Sequence, residues 1–268
     1  MLEIKNEDFE KLYTFIYKEY GIDLSKKKVL IAGRLTNTIS SLGYKTFSEY
    51  VDYILKCNDN EAIDTLINKL TTNYTYFMRE TAHFDFLKST ILPYLKERGV
   101  KKLGIWSAGC STGQEPYTLA MILTDFFGEN SGWDYKLLAS DISKRALSEA
   151  VNPIYLDEDL KDLPKEWLAK YFVKNPDSTY GISPKIRKNV VFRTFNLMDE
   201  IQFKTKFDII FCRNVMIYFD APTKEGLINR FYGATNPGGY LCIGHSESLA
   251  KLKNPYDYVM PSTFRKKL

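Results

Sequence analysis

Histidine is almost missing from this chain: its 268 residues include two, His83 and His245. Cysteine is scarce as well, with Cys57, Cys110, Cys212 and Cys242 scattered and no C-x-x-C pair. So few thiols and imidazoles, set so far apart, predict no zinc site, no disulfide framework and a reduced cytoplasmic chain. Long apolar runs are absent too; none approaches the ~20 residues of a membrane-spanning helix. The opening residues, Met1 to Lys5, lack the basic-then-apolar order of a signal peptide. Nor is charge of one sign dominant, since 37 Lys and Arg face 33 Asp and Glu for a net +4. That balance admits an acidic partner but does not by itself argue for nucleic acid. Neither G-x-G-x-x-G nor Gly-Lys-Ser/Thr occurs, so a pyrophosphate cradle and a P-loop are both unsupported. What is present is ordinary for a globular protein, 44% hydrophobic and 26% charged residues. The length suffices for one large domain or two modest ones.

Residues 1–72 read as helices. Phe9, Leu12, Tyr13, Ile16, Tyr17 and Tyr20 make one apolar stripe, with Asn6 as a candidate N-cap and Gly21 as a stop. Ser25 is the candidate opener of a second helix that runs through Lys26, Lys27 and Lys28 to about residue 41, before Gly43. The basic run suits a solvated face; Lys27, Lys28 and Arg34 also share a side of that helix and could form a docking ridge. Thr46-Phe47-Ser48-Glu49 is a capping box that opens a third helix, and a fourth covers about 60–70. The result is a small all-helical bundle. Residues 73–81 form a linker; Asn73, Thr75 and Arg79 alternate there with aromatics, which suits a segment lying over a ligand.

From residue 82 to 268 helices and strands alternate, the sign of an α/β fold with a doubly wound, mostly parallel sheet. Residues 100–105 read as a buried strand, and Leu119, Ala120, Ile122, Leu123 and Phe126 recur at helical spacing. Between them lies Ser107-Ala108-Gly109-Cys110-Ser111-Thr112-Gly113-Gln114-Glu115, a turn of small residues against which a ligand can lie. Glu115 would repel a phosphate there and suits a ligand carrying hydroxyls or an ammonium group, as S-adenosylmethionine does. The second strand, about 135–140, ends in Asp141, which is placed either to hold ribose hydroxyls or to cap the next helix. Turn chemistry around Asn175 to Gly181 predicts a small β excursion at about 172–189. Strands at about 190–195 and 207–212 then end in Asn196-Leu197 and Arg213-Asn214-Val215. A helix from Pro222, a turn at 236–239, a strand at 240–244 and a last strand near 256–264 complete the chain. Gly109, Asp141, Asn196 and Asn214 therefore share one edge of the sheet, where such folds bind ligands.

Four segments then match a known family in order: residues 71–80, residues 107–117, Phe211-Cys212-Arg213-Asn214-Val215-Met216-Ile217-Tyr218-Phe219, and Gly244-His245-Ser246-Glu247. Together they resemble the CheR-type chemotaxis receptor methyltransferases over nearly the whole chain. The resemblance implies a Rossmann-like class I methyltransferase domain preceded by a helical one. It implies transfer of methyl from S-adenosyl-L-methionine to glutamate side chains of methyl-accepting chemotaxis receptors, leaving S-adenosyl-L-homocysteine and needing no metal. It places Asn73, Thr75 and Arg79 over the cofactor, Glu115 at its ammonium side and Asp141 at its ribose. Asn196 and Leu197 would flank the adenine, Asn214 and Val215 would lie near the sulfonium, and Arg79 and Tyr218 would stand beside the transferred methyl. The excursion corresponds to the family's β-subdomain.

Other methyl acceptors fit less well. An adenine N6 enzyme would carry Asn/Asp-Pro-Pro-Tyr/Phe where this chain has Arg213-Asn214-Val215-Met216, and a cytosine C5 enzyme would carry a Pro-Cys dipeptide, which does not occur. A non-catalytic module that binds the cofactor and docks on receptors is the reading from another class.

Overall fold

The computed structural model describes residues 2–56, 59–128 and 133–268. Met1 and Cys57 lie outside them, and with Cys57 one of the four thiols considered above. Helix α1 (Asn6–Tyr20) buries Phe9, Leu12 and Ile16. Asn6 is its first residue rather than its cap; the cap is Lys5, and the Asn6 side chain accepts a hydrogen bond from Lys28 instead. Gly21 ends the helix at φ 68°, its N–H reaching the Tyr17 carbonyl at 2.9 Å. Ser25 does not open α2 (Lys28–Ser41), because its N–H and hydroxyl both bond to Asp23 and hold a turn before the helix. The capping box at the start of α3 (Phe47–Lys56) forms as expected, with Glu49 N–H donating to Thr46 Oγ1 and Thr46 N–H to Glu49 Oε2. Helix α4 (Asn60–Leu70) completes the bundle, capped by Asp59.

After the linker, α5 (Thr81–Phe86), a π-helical turn (Leu87–Ile91) and α6 (Leu92–Glu97) run on continuously. Next come β1 (Lys102–Ala108), α7 (Gln114–Phe127), β2 (Asp134–Asp141) and α8 (Lys144–Val151). Then follow β3 (Ile154–Tyr155), α9 (Lys165–Tyr171), β4 (Phe172–Lys174), β5 (Tyr180–Ile182) and α10 (Pro184–Arg187). The chain ends with β6 (Val190–Thr194), β7 (Phe207–Cys212), α11 (Ala221–Ala234), β8 (Thr235–Ile243), β9 (Asp257–Met260) and β10 (Thr263–Arg265).

The large sheet has the order β6-β2-β1-β7-β8-β10-β9, its first five strands parallel and the last two added antiparallel. The chain steps outward from β1 to β2 and β6, then returns to the other side of β1 with β7. The crevice where the order reverses therefore lies beyond the carboxyl ends of β1 and β7. Alternation of side chains sorts the two faces. Leu103 and Ile105 of β1 join Ile209 and Phe211 of β7 in one core, with α5, α6 and α7. Trp106 and Ala108 join Ile210 and Cys212 in the other, which is continuous with α11 and the helical bundle.

Three details depart from the sequence reading. The small sheet, of order β3-β5-β4, starts at Ile154, well before the expected excursion, because two-residue β3 carries too little pattern to read. Residues 236–239 are no separate turn: they lie within β8, where the register to β7 shifts and Gly238 takes φ 78°. Turn chemistry is used there to make a bulge. The last strand is a hairpin, β9 and β10, reversing near Ser262 at φ 59°.

Candidate active site

Asn73, Thr75, Arg79, Glu115, Asp141, Asn196, Leu197, Asn214, Val215 and Tyr218, all drawn from the sequence, line one cleft at the switch point. Tyr20 and Ile22 of the helical bundle line it too. The bundle is fastened to this edge: Ile22 bridges Phe219, Asp23 N–H donates to the Tyr218 carbonyl at 2.8 Å, and Tyr17 donates to Asp220.

The turn after β1 is shaped by its backbone. Gly109 takes φ 88° and Gly113 φ 95°, both left-handed, and Ser111 follows at φ 50°. A Cβ on Gly109 would come within 2.3 Å of Val215 Cγ2, so only glycine lets the turns after β1 and β7 meet. Gly109 and Cys110 donate to the Ser140 carbonyl, and Ser111 N–H donates to Asp141 Oδ2 at 2.7 Å. Asp141 Oδ1 accepts from Ser143 N–H at 2.9 Å, so this carboxylate does brace the start of α8. Burial holds its carboxyl above the usual aspartate value, against the pull of those N–H groups. Ser143 is the cap of α8, and it also accepts from Asn73 Nδ2 at 3.3 Å.

The turn after β7 is held by charges. Arg213, its side chain 3% exposed, donates Nη1 to Glu115 Oε2 at 3.1 Å and reaches Glu80 Oε2 at 3.2 Å through Nη2. The same Nη2 donates to the Arg79 carbonyl. Asn214, at φ 60°, donates Nδ2 to Glu80 Oε1, and Ser107 donates to Glu115 Oε1 at 2.6 Å. Burial alone would raise the Glu80 carboxyl; Arg213 and Asn214 reverse this and hold it below its ordinary value. Glu247 accepts N–H bonds from Asn214, Ile217 and Gly244, which pins the loop from behind. Arg213, Glu80 and Glu247 were missed in the sequence. Their signal was present, a charged residue ending the fully buried β7, but its partners lie far away in the chain.

Two side chains have neighbours the sequence did not suggest. Asn196 donates to the Glu19 carbonyl at 2.7 Å and accepts from Met198 N–H, tying α1 to the cleft wall. Arg79 donates to the Tyr74 carbonyl at 2.9 Å and lies over the Tyr76 ring, so its guanidinium folds back on the linker. Cys110 and Cys212 are buried, which pushes their thiols well above the ordinary value and leaves them no nucleophilic role.

The donor and acceptor set suits S-adenosylmethionine. Asp141 and Glu115 both line the cleft, and a carboxylate's several lone pairs can accept from hydroxyl or ammonium donors besides the N–H, hydroxyl and guanidinium groups that hold it. Phe195 and Leu197 supply an apolar flank.

Comparison with known proteins agrees with this geometry. Residues 73–264 match the family model described as the CheR methyltransferase SAM-binding domain, and residues 7–71 match the CheR methyltransferase all-alpha domain. The chain is 42% identical to a chemotaxis protein methyltransferase of Borreliella burgdorferi, over 99% of this chain and 96% of that protein. It is 37% identical to chemotaxis protein methyltransferase 1 of Pseudomonas aeruginosa, over 96% of each. With the chemotaxis protein methyltransferase of Escherichia coli it shares 34% identity, over 95% of this chain and 89% of that one. A Rossmann-like sheet, a bundle fastened to its switch-point edge and family matches along nearly the whole length thus agree, and the chain belongs to the CheR family of S-adenosylmethionine-dependent chemotaxis protein methyltransferases.

Proposed function

We propose that this enzyme esterifies glutamate side chains on the cytoplasmic domains of methyl-accepting chemotaxis receptors, leaving S-adenosyl-L-homocysteine. The observation that carries the reading is the meeting of Glu115, Asp141, Arg79 and Tyr218 at one cleft roofed by the linker. The reading divides the chain into a helical module (1–72), a linker (73–81) and a transfer domain (82–268) with its β-subdomain. Relatives named for chemotaxis methyltransfer support the choice of substrate.

The bound cofactor supplies an electrophilic methyl on a sulfonium. Asp141 would accept from the ribose hydroxyls, and Glu115, oriented by Ser107 and Arg213, would receive the ammonium. Asn196 and Leu197 would flank the adenine, Asn214 and Val215 would floor the cleft near the sulfonium, and Asn73 and Thr75 would close over it. A glutamate acceptor, pKa near ~4.3, is already ionised at neutral pH, so the site needs no general base. Transfer cancels a positive and a negative charge, and a cleft that keeps water from both favours it while it aligns them. Arg79 leaves Tyr74 to orient the incoming carboxylate, and Tyr218 donates one hydrogen bond and screens water with its ring.

Receptor docking uses Lys27 and Lys28 at the start of α2. Arg34, the third basic residue of the expected ridge, serves differently. It donates to the Leu70 and Thr71 carbonyls at 2.8 and 3.2 Å and to Thr72 Oγ1 at 3.0 Å, closing α4 and bracing the linker. No described helix is long and apolar enough to cross a membrane.

The test incubates the enzyme with methyl-labelled cofactor and receptor cytoplasmic fragments. Label released as methanol by mild alkali is expected, and Tyr218→Phe should slow transfer on the order of 10- to 100-fold with little change in cofactor affinity. Alkali-stable label, or full activity in Tyr218→Phe, would refute the ester or the role of the hydroxyl respectively. Cofactor binding without any transfer would favour the non-catalytic docking module.

A further inference from the structure

The only two histidines of the sequence come together, and nothing in the methyl-transfer reading uses them. His83 is on α5, His245 is in the turn after β8, and their ring centroids are 4.9 Å apart. Glu80 stands one helical turn before His83, and the Glu-x-x-His spacing puts both on one side of the helix. One donor atom from each of Glu80, His83 and His245 lies within 4.8 Å of the other two.

His83 is the telling member. It is 1% exposed, yet neither ring nitrogen has a hydrogen-bond partner. The Ser262 backbone is its other near neighbour. A buried imidazole with two idle nitrogens is uncommon, since nearly all buried polar groups are satisfied.

We propose that Glu80, His83 and His245 form a site for a divalent transition-metal ion of the zinc and cobalt kind, beside the methyl-transfer cleft. His83 Nδ1 and Glu80 Oε2 are 3.6 Å apart. Ligands of a tetrahedral ion with bonds of roughly 2.0–2.2 Å stand about 3.4 Å apart, so this pair is already set. His245 is exposed, and its donor atom already lies within 4.8 Å of those of Glu80 and His83, so a turn of its side chain brings the third ligand in. Two histidines and one carboxylate are a ligand set that such ions accept. Glu80 is shared with Arg213, which disfavours hard cations that need several carboxylates and leaves selection to the imidazoles.

The experiment titrates the full chain with Co²⁺ and follows its visible absorption, then adds Zn²⁺ or a large excess of Mg²⁺. One equivalent should bind with the visible bands of low-coordinate cobalt, be displaced by Zn²⁺ and resist Mg²⁺. No thiolate charge-transfer band should appear in the near ultraviolet. His245→Ala, an exposed change that leaves the fold intact, should weaken binding at least about tenfold, as losing a ligand outweighs losing an outer-shell partner. Failure of the wild type to bind, affinity unchanged in His245→Ala, displacement by Mg²⁺, or a thiolate band would each overturn the site.

Discussion

The turns after β1 and β7 meet at Gly109 and Val215, yet they are built on opposite principles. The first is a largely local object: Gly109 and Gly113 permit left-handed backbone, and its backbone hydrogen bonds end on the neighbouring strand and its Asp141, with one side-chain bond, from Ser111 Oγ to the Asn73 carbonyl, reaching the linker. The second is a long-range one: Arg213 is pinned between Glu80, more than a hundred residues away, and Glu115, with Glu247 behind. A turn made by glycines tolerates change in what surrounds it, whereas a turn made by buried ion pairs depends on each partner being there.

The largest effect should follow from breaking the second turn. Arg213→Met leaves Glu80 and Glu115 buried and unpaired, each side chain only 14% exposed. Stripping one partner from such a cluster costs about 3–5 kcal/mol, read as a lower midpoint in urea unfolding. Arg213→Lys should recover little, since an ammonium cannot reach both carboxylates and the Arg79 carbonyl as a planar fork does. Recovery to within about 1 kcal/mol of wild type would mean charge alone suffices.

Breaking the first turn should cost less and be repairable. Gly109→Ala drives a methyl into Val215 and holds alanine at φ 88°. Overpacking of this kind costs about 1–3 kcal/mol, with about 1–2 more for left-handed backbone. Adding Val215→Ala removes the clash but not the backbone strain, so the double variant should regain part of the loss in thermal unfolding. No regain would show that φ, not contact, requires the glycine.

The smallest effect is a pH dependence at the first turn. The Asp141 carboxyl is held above the ordinary value by burial, so its folded form takes up a proton more readily than its unfolded form. Its contribution to stability is full below the ordinary carboxylate pKa and is lost as pH rises through the raised one. The stability of wild type relative to Asp141→Asn should therefore increase on acidification from neutral pH toward the ordinary aspartate range. A difference independent of pH in paired denaturation curves would mean that Asp141 does not titrate differently when folded.

Legibility followed the same division. The capping box at Thr46 and Glu49, the stop at Gly21 and the fully buried β7 were readable because each is decided within a few residues. The strand-end part of the cleft, at Gly109, Asp141, Asn196 and Asn214, was readable because parallel strands deliver their carboxyl ends to one edge, whatever packs around them. Arg34 was misread as part of a free basic ridge because the carbonyls it binds, at the end of α4, sit far along the chain. Asn196 reads as a cleft residue and lines the cleft, but its tie to Glu19 is invisible in the sequence because it needs the bundle docked beside the sheet.

The helical bundle, the alternating α/β domain, the glycine turn and the strand-end positions Asp141, Asn196 and Asn214 follow from local pattern, whereas Arg79 and Tyr218 were reached through the family resemblance. Periodicity and φ preferences act over neighbouring residues, and a parallel sheet converts them into a shared edge. Only the tertiary structure decided that Arg213 is clasped by Glu80 and Glu115, that Arg34 braces the linker, and that His83 meets His245. Those pairings depend on which distant segments pack together, and burial then sets their strength by removing the water that would otherwise screen or satisfy them.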